Sequence, residues 1–532
     1  MSLVVIKLYQ EVLMRNITFV LVFAVVWFIG CNTGTPEKAG KTSSIDEYDI
    51  VLLNGRVMDP ETNFDGIRNV GIKNGIIKTI TKDSINGKEV INAKGLVIAP
   101  GFIDTHIHSI SRLGRKLLLL DGVTTALSME YGVLDVDKFY NERQKWRGNY
   151  GATVSLNHAR MKVLDHIDAQ DDTGWLKGTK EAAKKGVSNW STKIPTPEEE
   201  KEILAIIKKG LERGAIGVGM ALGYESVGTP AREVYEAQKL AASYGRVTAA
   251  HTRFGSGIPP DEFILGGDEI MLNAIALKAP VLFQHFHNGD WQLAAELIER
   301  VRNQGYNVWG EIYPYAAYST LVGAEFVDPK NFKRNNMKIS ETVLDPSTGK
   351  YLTEEQLVKM RKEDPSHLIV VFSRKKEDIP KWLSIEGATI GSDAMVVLDA
   401  EGNLLPEDAP YEKIAMHPRG AGAHSRALRY AREYNIPLMK VLANLSYWSA
   451  KHLGDTGLES MQVRGRIQEG MVADITIFNP ETVKDNADYM VGKNGLPPSG
   501  IPYVLVNGVI TVKDSELVPD AYAGQPIRFP VK

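Results

Sequence analysis

Cysteine is nearly absent from this chain of 532 residues, which carries only Cys31. A disulfide framework within the chain is therefore excluded. An excess of one charge is missing too. The 62 Lys and Arg face 65 Asp and Glu, for a formal net charge of -3. That balance offers no basic stripe to a nucleic acid and no polybasic face to a membrane. The 48 Gly and 25 Pro are scattered, so no low-complexity class is implied, and no internal repeat is visible. What remains is ordinary globular material, 43% hydrophobic and 24% charged. The length suits one large domain and one smaller one.

The only long apolar run is Ile17 to Gly30, with Arg15 ahead of it. A positive residue before an apolar stretch too short for a comfortable membrane span reads as an export leader. Its end, Phe28-Ile29-Gly30-Cys31, resembles a bacterial lipobox, in which the cysteine becomes the lipidated first residue. An uncleaved membrane anchor is the competing reading, and Met14 is an alternative start. The expected location is the periplasm or the cell surface, with the membrane contacted only through a lipid on Cys31. Residues 32–47 are a polar tether.

From Tyr48 the pattern is β-rich. A hairpin is predicted from Asp49 to Met58 with Asn54-Gly55 at its turn, a second from Asn69 to Ile80 around Asn74-Gly75, and a strand from Val90 to Ile98. The far end reads alike, with a strand over Gly470 to Phe478 and a hairpin from Tyr503 to Val512 around Asn507-Gly508. Neither end has enough strands alone. Together, 48–98 and 465–532 make one small β-sandwich.

Between them strands and helices alternate, which predicts an α/β domain over 99–464 with a parallel sheet. The strand candidates are Val97–His108, Thr124–Glu130, Thr153–His158, Ala215–Leu222, Val247–Thr252, Val281–His285, Val308–Tyr315 and Ala388–Asp393. Helices are expected over Glu198–Glu212, Ala231–Tyr244 and Trp291–Gln304. This order fits a TIM-type (β/α)8 barrel, with a doubly wound open sheet as the alternative. The polar stretch at about 326–387 is too long for a simple connection and reads as a lid or insertion.

The strand ends carry the chemistry. The first ends Asp104-Thr105-His106-Ile107-His108, and alternation along a strand sends His106 and His108 the same way. Strands five, six and eight end at His251, His285 and Asp393. In a barrel these ends meet at one mouth. Imidazoles with a carboxylate suit zinc, as one ion or two, or another divalent metal.

Ala99-Pro100-Gly101-Phe102-Ile103-Asp104-Thr105-His106-Ile107-His108 resembles the signature of the amidohydrolase superfamily. Gly465-Arg466-Ile467-Gln468-Glu469-Gly470 resembles the opening of its C-terminal strands. Gly122-Val123-Thr124-Thr125, Gly214-Ala215-Ile216-Gly217, the run Glu311 to Thr320, Gly391-Ser392-Asp393 and His417-Pro418-Arg419 resemble landmarks of the D-aminoacylases, in the same order. The resemblance runs from Tyr48 to the C-terminus. It implies a metal-dependent hydrolase of a linear amide, deacylating N-acyl-D-amino acids with metal-activated water and Asp393 as proton shuttle. A related amidase or dipeptidase acting on D-peptide or isopeptide bonds is the alternative, and a binding lipoprotein without catalysis is a third reading. The partner is a small N-acyl amino acid or short peptide-like molecule, with no nucleic acid. The sequence leaves the oligomeric state open.

In that family the metal-binding position on strand two is a cysteine. An ungapped match places Tyr131 there, with Glu130 one residue earlier. A phenol with a pKa near 10 is a poor ligand, whereas a carboxylate is ionised and can bridge two cations. Glu130 is therefore the expected ligand. Strand four has no lysine, which argues against subtypes bridged by a carbamylated lysine. By resemblance Arg419 clamps a substrate carboxylate, a task for which its fork geometry suits it. Tyr224, Ser319, His287 and His158 are assigned to the substrate pocket on the same basis, with His158 equally well a structural histidine. His287 stands where these relatives often carry lysine.

Overall fold

The computed structural model describes residues 48–109, 111–185, 188–254 and 263–532. The leader, the tether and Cys31 lie outside the described residues.

The chain enters through β1 (Tyr48–Asp59), β2 (Phe64–Lys73), β3 (Ile76–Thr81), β4 (Gly87–Asn92) and β5 (Val97–Pro100). The hairpin expected at Asn54-Gly55 is absent. β1 runs straight through and pairs with β2 along its length. Asn54, at φ 61°, marks an irregularity between Leu52 and Gly55 in place of a turn. Beyond it the partner of β1 changes from β4 to β5. The strand expected from Val90 to Ile98 is likewise two strands, β4 and β5.

The barrel strands are β6 (Phe102–Asp104), β7 (Val123–Val133), β8 (Asn149–Ser155), β9 (Gly217–Ala221), β10 (Val247–His251), β11 (Val281–Phe283) and β12 (Val308–Ile312). An insertion comes next, with β13 (Ala317–Leu321), β14 (Val343–Asp345), β15 (Lys350–Tyr351) and β16 (Leu368–Phe372) in a separate sheet of its own. β17 (Thr389–Ile390) is the eighth barrel strand. The eight run parallel in the order β17-β12-β11-β10-β9-β8-β7-β6. The ring closes past the ends of its first and last strands, where Asp393 N donates to His106 O and His108 N donates to Ala394 O, both at 2.8 Å.

The first strand therefore divides. Val97–Pro100 belongs to the terminal sheet and only Phe102–Asp104 to the barrel. The third strand ends at Ser155, short of His158. The Ser155 hydroxyl accepts from His158 N at 3.1 Å and caps a helix that starts at once.

Alternation along the barrel strands sorts side chains into two cores. Ile103, Leu127, Met129, Ile216, Leu282 and Trp309 fill the interior. Their neighbours Phe102, Ala126, Phe283 and Val308 pack outward under the helices. The helices that bear on the site and its frame are α1 (Leu156–Asp165), α2 (Asp172–Lys185), α3 (Pro197–Glu212), α4 (Ala231–Ser243), α5 (Trp291–Asn303) and α6 (Arg419–Glu433). α3 shows why these residues form a helix. Thr196 and Glu199 make a capping box, Pro197 fits the first turn, and Ile203, Ile207 and Leu211 recur at helical spacing on the buried face. Among the described residues no helix is long and apolar enough to cross a membrane.

β18 (Ile475–Phe478), β19 (Tyr503–Val506), β20 (Val509–Lys513) and β21 (Glu516–Leu517) return to the entry sheet. β18 pairs with β5, joining both chain ends in one hydrogen-bonded sheet of nine strands. Ile50, Val70 and Ile91 from one end share an apolar core with Ile467, Ile475 and Leu505 from the other.

Candidate metal centre

The barrel mouth gathers the strand-end residues. His251 keeps the inward parity of Val247 and Ala249, and Glu311 keeps that of Trp309. β7 breaks the rule. The inward set Leu127, Met129 points next to Tyr131, not Glu130. However, the pairing of β7 with β8 shifts register between Ser128 and Val133. Gly132 there adopts φ 70°, and a Cβ on it would sit 2.3 Å from Thr153 Oγ1. This irregularity lets the consecutive residues Glu130 and Tyr131 both reach the pocket. His285 and Asp393 also hold left-handed backbone, at φ 31° and 51°. Such strain in non-glycine residues persists where surrounding contacts enforce it, often at functional sites.

Four ligand atoms converge. His106 Nε2 lies 3.2 Å from His108 Nε2, 3.3 Å from Glu130 Oε2 and 3.5 Å from Asp393 Oδ1. His108 Nε2 lies 3.2 Å from Glu130 Oε2 and 3.3 Å from Asp393 Oδ1. Ligands about 2.1 Å from a tetrahedral zinc are separated by roughly 3.4 Å, so these spacings match the edges of one coordination shell. The other oxygen of Glu130, Oε1, faces a second pair, 2.9 Å from His251 Nδ1 and 3.0 Å from His285 Nε2. Glu130 thus stands between two ligand groups, one oxygen to each.

Charge fits a cation as well. Glu130, Asp393 and Glu311 bring three carboxylates, against which stands the guanidinium of Arg419. Burial opposes a charge on His106, but Asp393, Glu130 and Glu311 overcome it and push its pKa up to about 10. Burial would raise the Glu130 carboxyl, yet His106 and His108 hold it well below its ordinary range. The pocket therefore attracts positive charge, which a divalent metal on nitrogen and oxygen donors satisfies.

Supporting groups set the imidazoles. Glu311 Oε2 lies 2.7 Å from His106 Nδ1 and accepts from His285 N at 3.0 Å. It thereby turns His106 Nε2 toward the cluster. Asn288 Nδ2 lies 3.0 Å from His285 Nδ1. A metal on His285 Nε2 requires the flipped amide, whose oxygen accepts from Nδ1–H. Asp104 accepts from His106 N and from Ser392, tying strands one and eight together. A Cβ on Gly223 would lie 2.3 Å from His251 Nε2, so only glycine lets that ring sit there. Sequence reasoning missed Glu311, Asn288, Asp104 and Gly223 as site residues. Strand-end position was a usable signal for Glu311 and Asp104.

Of the residues assigned to substrate, Tyr224 and Ser319 line the pocket. Tyr224 OH lies 3.0 Å from Thr320 Oγ1, and Ser319 Oγ donates to Ile369 O at 2.9 Å. Three others are not in its wall. Arg419 is fully buried, with Nε donating to Asp393 O at 2.7 Å and Nη2 2.8 Å from Asp393 Oδ1. One arm of its fork is thus turned to a carboxylate of the protein itself, while Nη1 is buried without a hydrogen-bond partner. His287 packs edge-on against Tyr313 and against Trp382, with ring centres 4.4 and 4.7 Å away. His158 lies in the first turn of α1 behind Tyr131, with ring centres 6.2 Å apart, and burial pushes it down to about 4.

A closed parallel barrel with this ligand cluster at its C-terminal mouth has the architecture of the amidohydrolases. No protein-family profile matches the chain. It is 24% identical over 511 residues to the N-acyl-D-glutamate deacylase of Alcaligenes xylosoxydans xylosoxydans, covering 87% of this chain and 93% of the relative. It is 24% identical over 502 residues to the D-aminoacylase of the same organism, covering 88% and 95%. The solved N-acyl-D-glutamate deacylase of Bordetella bronchiseptica, in complex with zinc and a phosphonate mimic of the tetrahedral intermediate, superposes with a TM-score of 0.71. That match has 21% identity and covers 91% of this chain and all of the other. The chain is thus similar, over nearly its whole length, to the D-aminoacylase group of the amidohydrolase superfamily.

Proposed function

We propose that this protein is a zinc-dependent hydrolase that removes the acyl group from N-acyl-D-amino acids. The observation that carries the reading is Glu130, whose two oxygens face two sets of metal-ligand atoms on the floor of a pocket. The deacylase relatives supply the substrate class. When bound, a divalent cation polarises the scissile carbonyl and lowers the pKa of the attacking water to about 7.

The chain's own groups do the rest. Burial would raise the Asp393 carboxyl, but Arg419 and then His106 hold it below the usual carboxylate range. Asp393 is therefore ionised and can accept the water proton, then pass it to the leaving nitrogen. Arg419 fixes this carboxylate by holding its side chain and its carbonyl together. Glu311 and Asn288 orient the imidazoles. Tyr224 and Ser319 form part of the wall that receives the substrate.

A panel of N-acetyl-D- and N-acetyl-L-amino acids, run on zinc-loaded and chelator-stripped protein, tests the reading. Zinc-dependent release of acetate from D-substrates is expected. Full activity without metal, or no hydrolysis of any panel member, overturns it.

We further propose that the protein is exported and anchored through lipidated Cys31, on the strength of Arg15, the apolar run from Ile17 and the lipobox-like end. Cys31→Ser should then leave the protein unprocessed or free of membranes, as fractionation of the native host would show. An unlipidated Cys31 refutes it.

A further inference from the structure

α6 is broken near its start. Gly422 leaves helical backbone, at φ -157° and ψ 24°, and divides a first turn holding Arg419 from the longer run that follows. The break frees the N–H groups of His424 and Ser425. They donate to Asp121, the residue that ends the helix Arg112–Leu120, at 2.8 Å to Oδ2 and 2.9 Å to Oδ1. A carboxylate from elsewhere in the chain thus caps the second part of α6.

The His424 side chain belongs to the same junction. It is fully buried and does not line the pocket. Nδ1 lies 2.9 Å from Asp121 Oδ2. Nε2 lies 3.8 Å from Asp104 Oδ2, too far for a hydrogen bond but within ion-pair reach. Each ring nitrogen faces a carboxylate, an arrangement that suits the doubly protonated ring. Burial opposes that charge, but Asp121 and then Asp104 overcome it and raise the pKa above its ordinary value. The ring also stacks on Phe102 of β6, with 5.9 Å between centres and 9° between planes.

Asp104 joins this junction to the metal centre. It accepts from His106 N at 3.0 Å, from Ser392 N at 3.1 Å and from Ser392 Oγ at 2.5 Å. It therefore holds a metal ligand on one strand end and the neighbour of Asp393 on the other. A buried carboxylate is costly unless positive charge lies beside it. Arg115 is also in range of Asp104, but its two Nη atoms donate to Ala126 O and Asn149 O at 2.9 and 2.8 Å. The first residue of α6, Arg419, holds Asp393 itself.

We infer that His424 is a positioning residue of the metal centre, bridging Asp121 and Asp104 so that α6 is fixed against the two strand ends that carry His106 and Asp393. Without the imidazole, Asp104 loses the positive charge beside it, and the three bonds that hold the strand ends relax. Asp393 Oδ1 sits 3.5 Å from His106 Nε2 and 3.3 Å from His108 Nε2. Misplacement of such a group by about 1 Å costs on the order of 100-fold in rate.

Two variants of the full chain separate the legs of the bridge. His424→Asn puts an amide nitrogen near the Nδ1 position and keeps the contact with Asp121 alone. His424→Gln reaches the Nε2 position and offers Asp104 a donor. With an N-acetyl-D-amino acid, His424→Asn should lose about 10- to 100-fold in kcat per bound zinc while KM stays within a few-fold, and His424→Gln should recover part of the loss. Zinc binding, titrated against a chelator, should weaken by about 10-fold in His424→Asn. Unchanged kcat per zinc in His424→Asn overturns the inference. So does a glutamine variant no better than the asparagine one, or a loss in both that only follows the melting temperature, which marks a general structural role. If neither variant folds, Asp121→Asn, which neutralises the other flank of the ring, should show the same loss, and unchanged kcat there overturns the inference. The kinetic arm rests on the deacylase reading, whereas the zinc arm does not. A parent that hydrolyses no N-acyl amino acid overturns the proposed function instead; an unchanged zinc Kd in His424→Asn then overturns this inference as well.

Discussion

Replacing Glu311 with glutamine keeps the shape of a fully buried side chain and removes its charge. Both bonds at stake end on one oxygen. Oε2 faces His106 Nδ1 at 2.7 Å and His285 N at 3.0 Å. A glutamine oxygen in the same place still accepts both bonds, but as a neutral acceptor. A hydrogen bond to a charged group contributes about 1.5–3 kcal/mol and a neutral one about 0.5–1.5, so the loss is roughly 1–1.5 kcal/mol at the His106 bond alone. Loss of negative charge also lowers the basicity of the imidazole as a ligand. Outer partners of metal ligands are worth about 10- to 100-fold in affinity, or roughly 1.4–2.7 kcal/mol, which agrees with the bond count. Apoprotein titrated with zinc against a chelator of known affinity reads the effect directly. Zinc binding should weaken by about 10- to 100-fold, with activity recovering in part at saturating zinc. A Kd within threefold of the parent would refute the role given to Glu311.

Asp393→Asn keeps an oxygen for the metal but cannot take up a proton. Turnover should fall by about 10²–10⁴-fold with zinc retained, and turnover within a few-fold of the parent removes Asp393 from proton transfer. Glu130→Ala should lose zinc and activity together, whereas Tyr131→Phe should keep zinc; elemental analysis of both variants decides, and the reverse pattern would place the metal on the phenol. Glu225 offers a test through stability. Burial raises its pKa to about 8 against an ordinary 4.5, with Arg160 opposing and Glu233 adding to the rise. Its contribution is fully present below about pH 4.5 and declines by about 1.4 kcal/mol per unit up to about pH 8. The melting temperature of Glu225→Gln relative to the parent should therefore climb from pH 5 to pH 8, and parallel curves would show that Glu225 is already ionised.

Much of this was legible because barrel chemistry sits at strand ends, and strand ends can be read from alternation and flanking glycines. His106, His108, His251, His285 and Asp393 were read from that pattern together with the family signature. Glu130 needed chemistry, since period-two counting favours Tyr131 and only the register shift before Val133 overrides it. What escaped was tertiary. The engagement of Arg419 with Asp393 depends on how α6 enters the barrel, which no local pattern encodes. His158 was misplaced because Ser155 looks like a strand residue until its hydroxyl is seen to cap α1. The insertion was visible as a polar stretch beginning near Phe326, but its first strand, β13, starts at Ala317, two residues past the end of the expected seventh barrel strand. Tyr318 and Ser319 belong to that strand, so the residues that shape the pocket wall lie where one sheet hands over to another.

The pairing of β5 with β18 has a consequence for biosynthesis. Ile98 meets Ile477 across the ladder, partners separated by about 380 residues of chain. At ribosomal speeds of about 5–20 residues per second, β5 waits roughly 20 to 80 s for its neighbour to be made. Until then its edge is unsatisfied, and the barrel strand that comes after Gly101 has no finished sheet to anchor against. Strands made late complete the sheet that earlier strands begin, so a nascent chain truncated before Ile475 lacks the four strands β18 to β21 of that sheet however complete its barrel sequence. The edge of β5 should accordingly stay open to chaperones until β18 has been made.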